Sequence, residues 1–277
     1  MAEACFTGCY ALVTGGSQGA GRAITERFLA EGAAGVAIVG RDAVKAEATA
    51  AELSTDTARV VAIADDLATA GAPDRIMAAV EDAFGTVHAA VNAAALTVRG
   101  SVWDTTEDMW DAMLVTNVRA PGRITTLAAD LMRRTGVAGA VTHIGSVAAA
   151  GGAPELFPYA ASKQALVAMT KNSSFALLRH RIRVNLIQPG WMNTPAEDGI
   201  QRRFHGATDG WLEEASAKQP FGRLIDPAEL ARTVVFVSSD EAGLMTGAVI
   251  DYDQTILGPD MSRSDLQPVW GEARAEA

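Results

Sequence analysis

Tyr10-Ala11-Leu12-Val13-Thr14-Gly15-Gly16-Ser17-Gln18-Gly19-Ala20-Gly21-Arg22-Ala23-Ile24 is the stretch that decides the fold. A short β-forming run enters a glycine turn, and beyond it Ile24, Phe28 and Leu29 recur at the helical period. A strand that feeds a helix through glycines brings backbone N–H groups and the partly positive helix N-terminus to one point. Side chains at Gly15, Gly19 or Gly21 would fill that point, so the pattern suits a pyrophosphate.

The same alternation runs outward from this junction. Strands are expected at Tyr10–Thr14, Val36–Val39, Val60–Ile63, Val87–Asn92, Ala140–Ile144, Val184–Ile187 and Ala248–Tyr252. Helical patterns separate them: Ile76, Val80 and Phe84 share a face before Gly85, as the first helix does before Glu31-Gly32. Thr105 with Asp108 reads as the cap of a long helix carrying Met109 and Met113, and Pro227 as the start of another through Val234, Val235 and Val237. Repeated strand–helix–strand units give the α/β class: a single Rossmann-type, doubly wound domain, with a seven-stranded parallel sheet and helices on both faces. That domain is expected over residues 1–257, with a substrate lid at 191–221, where Pro195, Gly199, Gly206, Gly210 and Pro220 break the alternation, and a tail at 258–277.

Composition narrows the partners. Over 277 residues, 23 Lys and Arg stand against 33 Asp and Glu, for a formal charge of −10 that repels nucleic-acid phosphates and anionic lipid. No nucleic acid and no membrane partner is expected, and no run reads as a signal or spanning segment. Two cysteines, Cys5 and Cys9, are too few for a disulfide framework or a zinc site, which points to a reducing, cytoplasmic setting. His88, His143, His180 and His205 share no metal spacing, and His143 reads as a packed ring in a core strand; no metal is expected.

A second constellation carries chemistry. Tyr159 and Lys163 are four apart in a helix-compatible run, so both lie on one face. Ser146 precedes them by thirteen residues, at the end of the fifth expected strand, where open α/β sheets bind ligands. Thr-Gly-x-x-x-Gly-x-Gly at residues 14–21, Ser146 and Tyr-x-x-x-Lys at 159–163 together resemble the short-chain dehydrogenase/reductase family over Tyr10 to Asp253. The resemblance extends to Asn117, Arg183-Val184-Asn185 and Pro189-Gly190 followed by Thr194.

The resemblance implies hydride transfer between a nicotinamide cofactor and a secondary alcohol or ketone, with a sugar or polyol among the candidates, in a homotetramer. Tyr159 is then the general acid/base, Lys163 its electrostatic partner, Ser146 the substrate-oxygen anchor and Asn117 a member of the proton relay. It implies cofactor contacts from Gly15, Ser17, Gln18, Gly19, Gly21, Arg41, Asp66, Leu67, Asn92, Tyr159, Lys163, Pro189, Gly190 and Thr194. Ser146, Tyr159, Trp191 and Trp211 are the expected substrate contacts, the two indoles lying in or beside the lid. Ala93-Ala94-Ala95 after Asn92, and Gln254-Thr255 after Asp253, depart from the family pattern.

Three physical arguments accompany these expectations. Bringing a phenol from pKa about 10 toward 7 takes roughly 4 kcal/mol, which one ammonium at about 4 Å supplies at an effective dielectric near 20. Pro121 has no N–H to give the carbonyl four residues back, so that of Asn117 is expected to be free for a relay water. Gly40 stands where an acid would hold the ribose of NAD and Arg41 follows it, which favours NADP; an Arg41 that is merely exposed, with Asp42 capping the next helix, leaves NAD possible. The rival function is a non-catalytic dinucleotide-binding sensor or scaffold on the same fold.

Overall fold

The computed structural model describes residues 4–255; the tail expected at 258–277 lies outside the described residues. Seven strands form one parallel sheet: β1 (Tyr10–Thr14), β2 (Gly35–Gly40), β3 (Arg59–Ala64), β4 (Ala89–Asn92), β5 (Ala140–Ile144), β6 (Arg183–Pro189) and β7 (Val249–Tyr252). Their order is β3-β2-β1-β4-β5-β6-β7, so the direction of winding reverses between β1 and β4. All seven expected strands are present, with β4 starting two residues later than its apolar run and β7 one later.

Alternation along the strands builds two cores. Leu12, Ala37, Val39, Val141 and Val184 face one way, against Ile76, Met77 and Val80 of α3 (Ala72–Phe84) and Ile124, Ala128 and Met132 of α5 (Ala120–Thr135). Ala11, Val13, Val36, Ile38 and Val91 face the other way, against Ile24 and Phe28 of α1 (Gly19–Ala30) and Leu230, Val234 and Val235 of α9 (Pro227–Ser238). Each fully buried Val, Ile, Leu or Phe contributes about 1.5–3 kcal/mol, which only this register harvests: a one-residue slip would exchange the two faces. Arg183 donates to the carbonyls of Val237 (2.7 Å) and Ser239 (2.6 Å), tying β6 to the end of α9.

The remaining helices are α2 (Ala43–Leu53), α4 (Glu107–Leu114), α6 (Phe157–Leu177), α7 (Pro195–His205) and α8 (Trp211–Ala217). The expected cap of α4 is shifted by one: Thr106 accepts from the Met109 amide, whereas Thr105 turns back to donate to the Ser101 carbonyl at 2.6 Å. Two adjacent threonines satisfy the capping pattern equally in sequence, and the backbone turn at Ser101 chooses between them. Nor is that helix continuous, because a π turn at Val115–Arg119 separates α4 from α5. No helix among the described residues is long and apolar enough to cross a membrane.

At the centre of the sheet β5 carries a polar residue, His143, which is fully buried and paired with Asn92 and Leu186 across the ladders. The Asn92 amide Nδ2 donates to His143 Nδ1 at 3.3 Å, while His143 Nε2 and Asn92 Oδ1 have no partner. Burial, aided by the nearby Lys163 charge, brings His143 from 6.5 down to about 4. The imidazole is therefore neutral in the folded and unfolded chain at pH 7. Between about pH 6.5 and 4 the unfolded ring takes a proton that the folded ring refuses, so stability falls with falling pH by about 1.4 kcal/mol per unit. His143→Gln should accordingly lose about 2 kcal/mol less than the parent between pH 6.5 and 5, measured by urea unfolding at both values; an identical decline in the two proteins would refute this.

Candidate active site

The functional residues gather at the carboxyl ends of the strands. The glycine loop follows β1, Arg41 follows β2, Asp66 and Leu67 follow β3, Asn92 ends β4, Ser146 follows β5, and Pro189-Gly190 ends β6. Gly15 has φ +71°, and a Cβ there would lie 3.1 Å from the Ala94 Cα. A Cβ on Gly21 would sit 2.1 Å from the Gly15 carbonyl oxygen, so helix and loop pack backbone on backbone. Thr14, at the end of β1, accepts from the amides of Ala93 (3.0 Å) and Ala94 (3.1 Å), fixing the loop after β4 beside the glycines.

The start of α1 is built differently from several of its neighbours. Side chains cap α2 (Asp42), α4 (Thr106), α7 (Thr194) and α9 (Asp226), whereas Gln18 at the start of α1 gives no side-chain cap. Its first-turn N–H groups face the glycine loop with the helix dipole behind them, a donor set that fits a pyrophosphate. Ser17 is buried, and its Oγ would lie 3.0 Å from a Cβ on Gly40, so no acidic side chain could be accommodated there without displacing it. Arg41 is exposed and makes no ion pair among the described residues. Asp42 accepts from the Lys45 amide at 3.0 Å as the cap of α2, and the Lys45 ammonium rests on Gln18 Oε1. Asp66 is half-buried, accepting from the Ala68 amide at 2.9 Å, and Leu67 is buried.

Tyr159 and Lys163 lie in the first turns of α6, which Pro158 starts. Ser146 caps the 3₁₀ turn Val147–Ala150, accepting from the Ala148 amide at 3.1 Å. Lys163 is only 3% exposed; its ammonium donates to the Ile144 carbonyl at 2.8 Å and lies 5.6 Å from the centroid of the Tyr159 ring. Burial lowers Lys163 to about 8. Tyr159 is pushed above its ordinary value, first by burial and also by the Glu197 carboxylate, while the Ser146 hydroxyl and the Arg99 charge pull it back. This departs from the sequence argument. The strand carbonyl engages the ammonium that was expected at the phenol, and Arg99 is a second cation no motif had marked.

Asn117 is buried in the π turn, where the Ala120 amide reaches back five residues to the Val115 carbonyl. The Asn117 side chain accepts from the Leu96 amide at 2.7 Å and donates to the Leu96 carbonyl (2.9 Å) and the Ser162 hydroxyl (3.1 Å). Ser162 in turn donates to the Tyr159 carbonyl at 2.7 Å, so one amide joins the loop after β4 to the helix carrying Tyr159.

Residues 191–221 contain α7 and α8, and their base is pinned. The Asn193 and Ile225 amides exchange bonds across the neck with the Ile225 and Trp191 carbonyls (3.0 and 2.9 Å). Gln254, where the family pattern has glycine, accepts from the Phe221 amide and donates to the Arg223 carbonyl, holding the far end. Trp191 and Trp211 stack with centroids 6.3 Å apart. Their indole N–H groups donate to Glu197 (2.8 Å) and Asp198 (2.7 Å), so these lid acids are engaged by the aromatics beside them. Thr194 accepts from the Glu197 amide, and its methyl lies 3.6 Å from the Cβ position of Gly19, setting the start of α7 against the glycine loop. The Asp253 carboxylate occupies the space over Gly190.

Residues 15–254 match a family model described as enoyl-(acyl carrier protein) reductase. The chain is 34% identical over 243 residues to short-chain reductase protein NovJ of Streptomyces niveus, covering 88% of this chain and 92% of that protein. It is likewise 34% identical over 249 residues to the NADP-dependent (R)-specific alcohol dehydrogenase of Lentilactobacillus kefiri, covering 89% and 95%. The crystal structure of L-sorbose reductase from Gluconobacter frateurii, complexed with NADPH and L-sorbose, superposes with TM-score 0.84 at 28% identity, over 92% of this chain and 98% of that one. With the glycine loop, Ser146, Tyr159 and Lys163 assembled on one edge of the sheet, the chain belongs to the short-chain dehydrogenase/reductase family.

Proposed function

We propose that this protein is an oxidoreductase that interconverts a secondary alcohol and its ketone with NADP(H), and that residues 1–257 form its catalytic domain, with 191–221 as the lid and 258–277 as a tail. The observation that carries this reading is the convergence of Ser146, Tyr159 and buried Lys163 beside a helix N-terminus whose donors fit a pyrophosphate. Bound there, the nicotinamide supplies or takes the hydride. Gly15, Ser17, Gln18, Gly19 and Gly21 line the phosphates, Asp66, Leu67 and Asn92 the adenosine side, and Pro189, Gly190 and Thr194 the nicotinamide side.

Tyr159 moves the proton. Burial favours the protonated form of its phenol, which is the form that gives a proton to a ketone oxygen. Ser146 orients that oxygen beside the phenol. Lys163, anchored on the Ile144 carbonyl, has two further donors, one for the cofactor ribose and one for the relay behind Tyr159. The Asn117 carbonyl, whose usual partner is Pro121, accepts in that relay. Trp191 and Trp211 wall the substrate side.

NADP is the cofactor this reading selects. The relative from Lentilactobacillus kefiri is named NADP-dependent and the sorbose reductase holds NADPH. In this chain Ser17 fills the space over Gly40, and Arg41 stands free beside it for a 2′-phosphate. Phe175 (79% exposed) and Leu178 (49%) on and after α6, with Leu244 (98%), give an apolar surface that suits the proposed homotetramer, and free Cys5 and Cys9 suit the cytoplasm.

Tyr159→Phe should lower kcat by roughly 100- to 10,000-fold while leaving the Kd for NADPH, read by nucleotide fluorescence, within about twofold. Unchanged turnover would remove the mechanism, and unchanged NADPH binding with no turnover in the parent would favour the sensor. Arg41→Asp should shift the ratio of NADPH to NADH affinities toward NADH by at least about tenfold; equal ratios would leave Arg41 without a part in recognition.

A further inference from the structure

Arg99 lies in the loop after β4, seven residues beyond Asn92. Its neighbour Gly100 forms a bridge with Leu156: the Gly100 amide donates to the Glu155 carbonyl at 2.9 Å and the Phe157 amide to the Gly100 carbonyl at 3.0 Å. That bridge fixes Arg99 against the start of α6, three residues before Tyr159. Arg99 is half-buried, and its Nε is shut off from water without a hydrogen-bond partner. No carboxylate pairs with it among the described residues, although the chain carries ten more acids than bases and Arg22, Arg27, Arg75, Arg123, Arg134 and Arg202 are all paired. Its charge is felt at the Tyr159 hydroxyl.

An unpaired guanidinium with a dry Nε, fixed near the start of the helix that carries Tyr159, is costly unless something else meets it. Glu197 is the nearest acid that Tyr159 senses, but Trp191 and Gln201 both donate to it (2.8 and 2.7 Å). We propose that Arg99 anchors a carboxylate on the substrate, so that the substrate class of this site is a short keto acid and its hydroxy acid. The guanidinium presents planar paired donors matched to a carboxylate, and its Nη groups, unlike the sealed Nε, are open to receive one. Glu197 and Asp198 leave room for this assignment because the two indoles hold them. The inference rests on the oxidoreductase reading above and names the substrate for that same site.

Acetoacetate and 4-oxopentanoate, each compared with its methyl ester, test it. The ester keeps the ketone and removes the charge, so its reduction reports the reaction without the anchor. The parent enzyme with NADPH should favour each acid over its ester in kcat/KM by at least about tenfold, chiefly through KM. Arg99→Gln should lose roughly 10- to 100-fold on the acids and less than about threefold on the esters, with Arg99→Lys recovering part of the loss. Binding is read separately by titrating the tryptophan fluorescence with 3-hydroxybutyrate, which should respond in the parent and not in Arg99→Gln, at equal thermal stability. A parent that reduces esters as well as acids, equal losses on both in Arg99→Gln, or carboxylate binding that survives the substitution would each overturn the anchor. The first two of these leave the reaction itself standing, since ester turnover reports it. If no ketone is turned over but Arg99-dependent carboxylate binding persists, the oxidoreductase reading fails and the anchor survives.

Discussion

The ammonium of Lys163 is held out of water at the end of β5, and much of the site is arranged around that placement. Stripping a cation of its hydration costs several kcal/mol even after local relaxation, so the group must find acceptors where it is put. The Ile144 carbonyl is one, 2.8 Å away, at the last residue of the strand. Burial acts twice here: it is the first cause of the lowered pKa of His143, one residue earlier on β5, with the Lys163 charge adding to it, and it brings the ammonium itself to about 8.

The fold was legible because two periods alternate cleanly. Leu12 on one face and Ala11 and Val13 on the other need only a strand pleat, while Ile76, Val80 and the glycine at 85 need only a helical turn and a left-handed stop. Local chemistry decided less where equivalent residues stood side by side, as with Thr105 and Thr106 before α4. The glycine loop and the Tyr159–Lys163 pair were legible because their spacing is short and carries its own geometry. Arg99 was not: sixty residues separate it from Tyr159, and the bridge between Gly100 and Leu156 that closes this distance is made by backbone groups, which leave no mark in the residue types. The lid shows the same limit. Trp191, stacked on Trp211, donates to Glu197, and Trp211 donates to Asp198, pairings that residue types alone do not announce.

Asn117 shows how one position serves two ends at once. A π turn is a strained way to run a helix, usually retained where the extra residue re-aims something. Here the widened turn carries the Asn117 side chain to Leu96, where its amide makes the paired bonds a strand neighbour would make, and its Nδ2 also reaches Ser162. These bonds lock the loop that leads to Arg99 onto the helix that leads to Tyr159.

The electrostatics of Tyr159 bear on which form of the phenol is present. Burial raises the phenol, and the structure sets only partial opposition to it, from Ser146 and Arg99, with Glu197 working the other way. A site meant to abstract a proton from an alcohol at neutral pH would need a net lowering of about three units, close to 4 kcal/mol. A site meant to deliver a proton to a developing alkoxide needs only that the phenol be present, protonated and aimed, because the alkoxide is by far the stronger base. A carboxylate seated on Arg99 would screen that cation and leave the phenol higher still, reinforcing the donor form.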